Sequence, residues 1–160
     1  MIQTLPGHGR ADLIWVDCGP GSFTGTRVGL AAARALALAW DIPVFGFSSM
    51  PLIAVTAVGE TDSAAVALLG GHGELFVQAF VMGPLAPSTD LKSLPPEAAA
   101  HAVRSTLVLG SGAEAMVQAA GGGLARNVVP RAANVRMLPD ELRRLPPKAI
   151  YVRPPDAKAA

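Results

Sequence analysis

The sequence predicts an α/β fold. Short apolar runs rich in β-formers, such as "DLIWVDC" and "AAVALL", alternate with alanine-rich segments of helical character. Glycine and proline fall at the junctions between them. Two apolar runs separated only by "GGHG" have the pattern of a hairpin.

The elements follow in order. Residues 12–18 read as a buried strand, closed by Gly19-Pro20-Gly21. A helix starts after an N-cap at Ser22 or Thr24, runs to Trp40, and stops because Pro43 disfavours helix just ahead of it. "PVFGF" is a second short strand. Ser48 or Ser49 caps a helix with Pro51 in its first turn and Gly59 just past its end. Residues 64–69 and 74–81 are the hairpin strands, and residues 83–96 read as a loop. A helix over 96–103, a strand over 106–110 and a helix over 113–120 follow, the last broken by three glycines. A further helical piece spans 132–145, interrupted by Pro139, and "AIYVRPP" follows it.

Composition narrows the function. The net charge is +1, which provides no global attraction to nucleic acid or membrane. From Arg126 onward, however, eight Lys and Arg face three Asp and Glu, so this stretch carries +5 and the remainder −4. Cys18 is the single cysteine, so neither an internal disulfide nor a cysteine zinc cluster can form. His8, His72 and His101 are isolated from one another. The first residues lack a basic region followed by a long apolar core, and the longest apolar helix is interrupted by Arg34. The expectation is a cytoplasmic protein without membrane association.

The segment "GPGSFTGTRVGLAAARALALAW" admits two readings. A strand, a glycine turn and a helix N-terminus make an anion site, with Gly19, Gly21, Ser22 and Thr24 as its residues. The pattern is not a phosphate-binding P-loop, because Gly25 is followed by Thr26-Arg27 where a lysine is required. The helix itself carries Gly25, Gly29, Ala33 and Ala37 every fourth residue, a ridge of small side chains on which a second helix could pack. That ridge faces either a partner or the chain's own sheet. Arg27 is an anion holder, an interface partner for an acid, or an ordinary surface arginine. Arg34 is expected at the rim of a pairing surface. Asp17 is expected to hold the strand end by hydrogen bonds, and His72 to be an exposed turn residue.

"GPGSFTGTRVGLAAARALALAWDIPVFGFSSM" resembles the signature segment of the TsaB (YeaZ) family, and "AVALLGGHGELFVQAF" and "AIYVRPPDAK" are similar to the family's hairpin and C-terminal end. The resemblance implies an actin-like fold of two ribonuclease-H-type lobes, with residues 1–57 a partial first lobe carrying the pairing helix and 58–160 the second. It implies a non-catalytic subunit of the machinery that forms threonylcarbamoyladenosine beside the tRNA anticodon. The implied partners are a TsaD-type catalytic subunit, a TsaE-type ATPase at the junction, a second copy of the chain, and tRNA indirectly. The ridge, with Gly25, Arg27, Gly29, Ala33 and Ala37, becomes the expected interface. No catalytic residue, metal or firm cofactor is implied; weak nucleotide binding would be shared with the partner.

Two departures from the family stand out. The family's opening strands have no counterpart, and "MIQTL" falls where the family is already inside its first helix. The first lobe is therefore expected to be incomplete, with an unpaired strand edge near Leu13–Val16, and the isolated chain to be poorly stable or to aggregate. In the hairpin, Glu74 is kept, while the family's Asp and Arg are replaced by glycines around His72. The alternative functions are a stand-alone actin-like nucleotide-binding enzyme and a degenerate fragment without function.

Overall fold

The computed structural model describes residues 6–152. "MIQTL" and the end of "AIYVRPPDAK" lie outside them. Strand β1 (Ile14–Asp17) pairs in parallel with β2 (Val44–Phe47), joined by the crossover helix α1 (Phe23–Trp40). A second sheet has the order β5-β4-β3-β7-β8, with β6 also on β4. Its hairpin strands are β3 (Ser63–Leu69) and β4 (Leu75–Met82), and β7 (Leu107–Leu109) and β8 (Leu124–Arg126) extend it in parallel.

α1 forms because six alanines between positions 31 and 39 favour helix strongly. Ser22 is its N-cap, its Oγ accepting from the Gly25 N–H at 3.3 Å. Asp41 ends it in left-handed conformation, φ 53°, with its N–H returned to the last turn.

α2 (Ser49–Ala54) is buried along its whole length. Met50, Leu52 and Ile53 join Val66, Phe80 and Leu109 in the largest apolar cluster, which ties the first strands to the second sheet. α3 (Pro96–Ala102) and α4 (Ala113–Ala120) cover the opposite face of that sheet, through Ala99, Val103 and Met116 against Val77 and Val108.

The structure departs from the expected elements in three places. The expected loop over 83–96 contains two edge strands on β4, β5 (Leu85–Pro87) and β6 (Lys92–Leu94). Three residues are too few for an alternating pattern to register. β8 follows the three glycines for the same reason. The helical piece over 132–145 is a 3-10 turn and the short α5 (Asp140–Arg143), with Pro139 between them.

The last described residues pack on β1, β2 and α1. Leu145 exchanges both backbone hydrogen bonds with Gly46, at 2.7 and 3.0 Å. The Ile150 N–H donates to the Cys18 carbonyl at 2.8 Å. Ala149 and Ile150 join Val16, Cys18, Leu30 and Ala33 in a separate small core.

Candidate functional site

β1, the glycine turn and the start of α1 surround an open cleft of about 400 Å³. Gly19 turns the chain with φ 94°, and a Cβ there would stand 3.2 Å from the Gly21 nitrogen, so only glycine fits. Asp17 locks the turn: its Oδ1 accepts from the Gly19 N–H at 2.8 Å and its Oδ2 from the Ser49 hydroxyl at 2.6 Å. Ser49 closes the loop by donating its N–H to the Gly19 carbonyl at 3.0 Å. Asp17 thus has the strand-end role expected of it.

Of the four loop residues, Gly19, Gly21 and Ser22 line the cleft, and Thr24 is not among its walls. The Ser22 hydroxyl is engaged as the helix cap. The only charged side chain lining the cleft is the Asp17 carboxylate, which opposes an anion.

The ridge on α1 does not hold together as one surface. Gly25, Arg27 and Gly29 are exposed, whereas Ala33 and Ala37 are buried with Leu30. Ala33 packs against β1 in the chain's own small core. Positions four apart advance by about 40° around a helix, so four of them spread over roughly 120°. A ridge that begins at solvent therefore ends in the core. Ala33 and Ala37 are core residues. The exposed face is made instead by Val28, Ala31, Ala32, Ala35, Leu38 and Ala39. Val28 is 62% exposed and Leu38 85%.

Both arginines of α1 hold the C-terminal segment. Arg34 donates from its guanidinium to the Pro147 carbonyl. Arg27 donates from Nε to the Tyr151 hydroxyl at 2.8 Å, and its guanidinium lies 3.6 Å from the centre of the Phe23 ring. These contacts span more than a hundred positions, and no local pattern in the sequence announces them. Cys18 is buried beneath the same segment, and burial, with the neighbouring Asp17 charge, pushes its thiol pKa up.

Between β3 and β4, His72 sits exposed at the hairpin tip, in left-handed conformation with φ 63°. Glu74 accepts from the Ser93 hydroxyl at 2.6 Å, which fastens the hairpin to β6. Among the described residues no group of three His, Cys, Asp or Glu could hold a metal, and no helix is long and apolar enough to cross a membrane.

The fold and this turn define a class, α/β proteins in which a glycine turn leads from a parallel strand into a crossover helix. Residues 8–84 match the family model of TsaD, tRNA N6-adenosine threonylcarbamoyltransferase. In fold the chain is similar to YeaZ from Pseudomonas aeruginosa, with TM-score 0.67 and 21% identity over 80% of this chain and 65% of that one. It is also similar to a crystal structure of an uncharacterised protein with similarity to peptidase YEAZ from the same organism, with TM-score 0.72 and 22% identity over 89% and 74% of the two chains. An uncharacterised protein of Mycobacterium leprae is 50% identical over 50 residues, 31% of this chain and 14% of its own. One of Mycobacterium tuberculosis is 46% identical over 50 residues, 31% of this chain and 24% of its own. The matches thus span less than a quarter of the length of these curated relatives. The family-model match covers a little under half of this chain, and the solved structures share its fold.

Proposed function

We propose that the chain is a non-catalytic partner subunit in the formation of threonylcarbamoyladenosine next to the tRNA anticodon. It pairs through α1 with a TsaD-type catalytic subunit or with a second copy of itself. A TsaE-type ATPase joins at that junction, and tRNA is reached through the catalytic subunit. The observation that carries the reading is the outer face of α1, which lies inside the segment matched by the TsaD family model.

From Val28 to Trp40 the helix has one charged residue, Arg34. Its exposed apolar side chains are mostly alanines, so a second helix can approach closely and remove them from water. The chemistry of the cleft agrees. Asp17 and Ser49 hold each other, and the helix cap uses the Ser22 hydroxyl, so the turn aims α1.

Co-expression with the TsaD-type subunit of the same genome tests the reading. A stable complex should elute, and Val28→Glu should dissolve it without lowering the melting temperature. The chain should also restore threonylcarbamoyladenosine in cells depleted of their own TsaB. Failure of both complex formation and restoration would reject the proposal.

A further inference from the structure

Phe23 and Arg27 stand one turn apart at the start of α1, and the C-terminal segment brings Tyr151 beside them. The two rings are 5.9 Å apart, tilted by 43°, and both are more than half exposed. The guanidinium lies over Phe23 at 3.6 Å and faces Tyr151 at 5.5 Å. Its Nε is held by the Tyr151 hydroxyl. Its two terminal nitrogens have no hydrogen-bond partner, and no carboxylate pairs with it, among the described residues. An arginine fixed by one edge and one face, with its fork open among the described residues, is preorganised for a two-toothed grip on a planar anion.

We propose that Arg27 is the polar anchor of the α1 docking surface and receives an aspartate or glutamate carboxylate of the TsaD-type subunit. This rests on the reading of α1 as the pairing helix. The surroundings favour a protein over a nucleic acid. Phe23, Tyr151 and the adjacent Val28 supply exposed apolar and aromatic area next to one arginine, the composition of an interface hot spot. A nucleic-acid groove instead needs several free cations in a row. Along α1 the only other cation, Arg34, is engaged by the Pro147 carbonyl.

The test is calorimetric titration of the full chain with the TsaD-type subunit, and separately with its tRNA, using Arg27→Glu, Arg27→Lys, Tyr151→Phe and Val28→Glu. Arg27→Glu should weaken subunit binding by about tenfold or more, well beyond Tyr151→Phe, which gives up the same hold on the C-terminal segment. Arg27→Lys should lose nearly as much, because an ammonium has no fork. Tyr151→Phe should lose severalfold, because the fork is no longer held. Equal binding by wild type and Arg27→Glu, with Val28→Glu abolishing it, would overturn the carboxylate contact and leave the pairing reading standing. No binding by the wild type would overturn both. Loss of tRNA affinity alone in Arg27→Glu would overturn the proposal in favour of a phosphate contact.

Discussion

The Ile150 N–H donates to the Cys18 carbonyl at 2.8 Å, and this contact lays the C-terminal segment over the only thiol in the chain. Leu145 at one end and Tyr151 at the other fasten the segment to β2 and α1. Cys18 therefore reports whether it is seated. The native thiol should react slowly with iodoacetamide and rapidly in urea. Arg34→Ala, which frees the Pro147 carbonyl, should raise the native rate severalfold. Equal rates for the two proteins would show that the segment does not control access.

The same burial gives a pH dependence. The folded-state pKa of Cys18 is raised above its ordinary value of 9.0, chiefly by burial. A raised pKa means that the folded state keeps the proton longer than the unfolded chain. The contribution of the neutral thiol is fully present below that value and is lost as pH rises through the folded pKa. Melting temperature should fall above about pH 9, and the fall should be shallower in Cys18→Ala. Parallel curves for the two proteins would contradict the assignment.

Gly46 is the tightest point beneath the segment. A Cβ there would lie 2.5 Å from the Cys18 sulfur and 2.8 Å from the Pro146 carbonyl. One obstacle is a side chain and the other is backbone, so the two can be separated. Gly46→Ala should cost about 1–3 kcal/mol in urea unfolding. Adding Cys18→Ala should recover part of the loss, because the backbone clash persists. Full recovery, or none, would show that the contact is wrongly apportioned.

What the sequence makes legible depends on how local the signal is. α1 and its boundaries were legible because cap, alanine run and Pro43 act within a few residues. So was the hairpin, whose "GGHG" turn sits between two apolar runs. β5, β6 and β8 were not, because three-residue strands take their identity from the neighbour they pair with. In the site, the bonding role of Asp17 was legible from its place at a strand end. The partition of the α1 ridge was not, since spacing places Gly25 and Ala37 on one ridge and the turn of the helix separates them. The Arg27–Tyr151 contact was equally hidden, because it depends on the path of the C-terminal segment.

Gly29 and Ala33 separate pairing from folding. A side chain at Gly29 meets open space, with nothing within 4 Å of its Cβ. Gly29→Leu should therefore fold, even with a slightly stabler helix, by about 1 kcal/mol or less. Its bulk should nevertheless obstruct a close-packed partner. Ala33 is buried against β1, so Ala33→Leu should overpack the small core and cost about 1–3 kcal/mol. Thermal melts together with co-purification should give a folded, non-pairing Gly29→Leu and a destabilised Ala33→Leu. A Gly29→Leu protein that still pairs would place the interface farther round the helix, toward Val28 and Leu38.

β1 has one open edge among the described residues. Among the described residues β1 pairs only with β2, so its other edge offers unpaired N–H and C=O groups. A two-stranded sheet is marginal by itself, and this one is held by α1 and the C-terminal segment. The isolated chain should associate as its concentration rises. A charge that points out of the sheet would leave the edge intact, so the change must act on the backbone. Trp15→Pro removes one N–H together with an indole packed against the main core, so Trp15→Ala, which loses the indole alone, is its control; relative to that control it should suppress association if the N–H faces the open edge. The Ile14 N–H is taken by the Pro43 carbonyl at 3.0 Å, and alternate residues of a strand point their N–H groups to opposite sides, so Trp15 faces the open edge. Light scattering against concentration should show the wild type and Trp15→Ala associating more than Trp15→Pro. A wild type that remains monomeric at all concentrations, with one cooperative transition, would show that the open edge does not drive association.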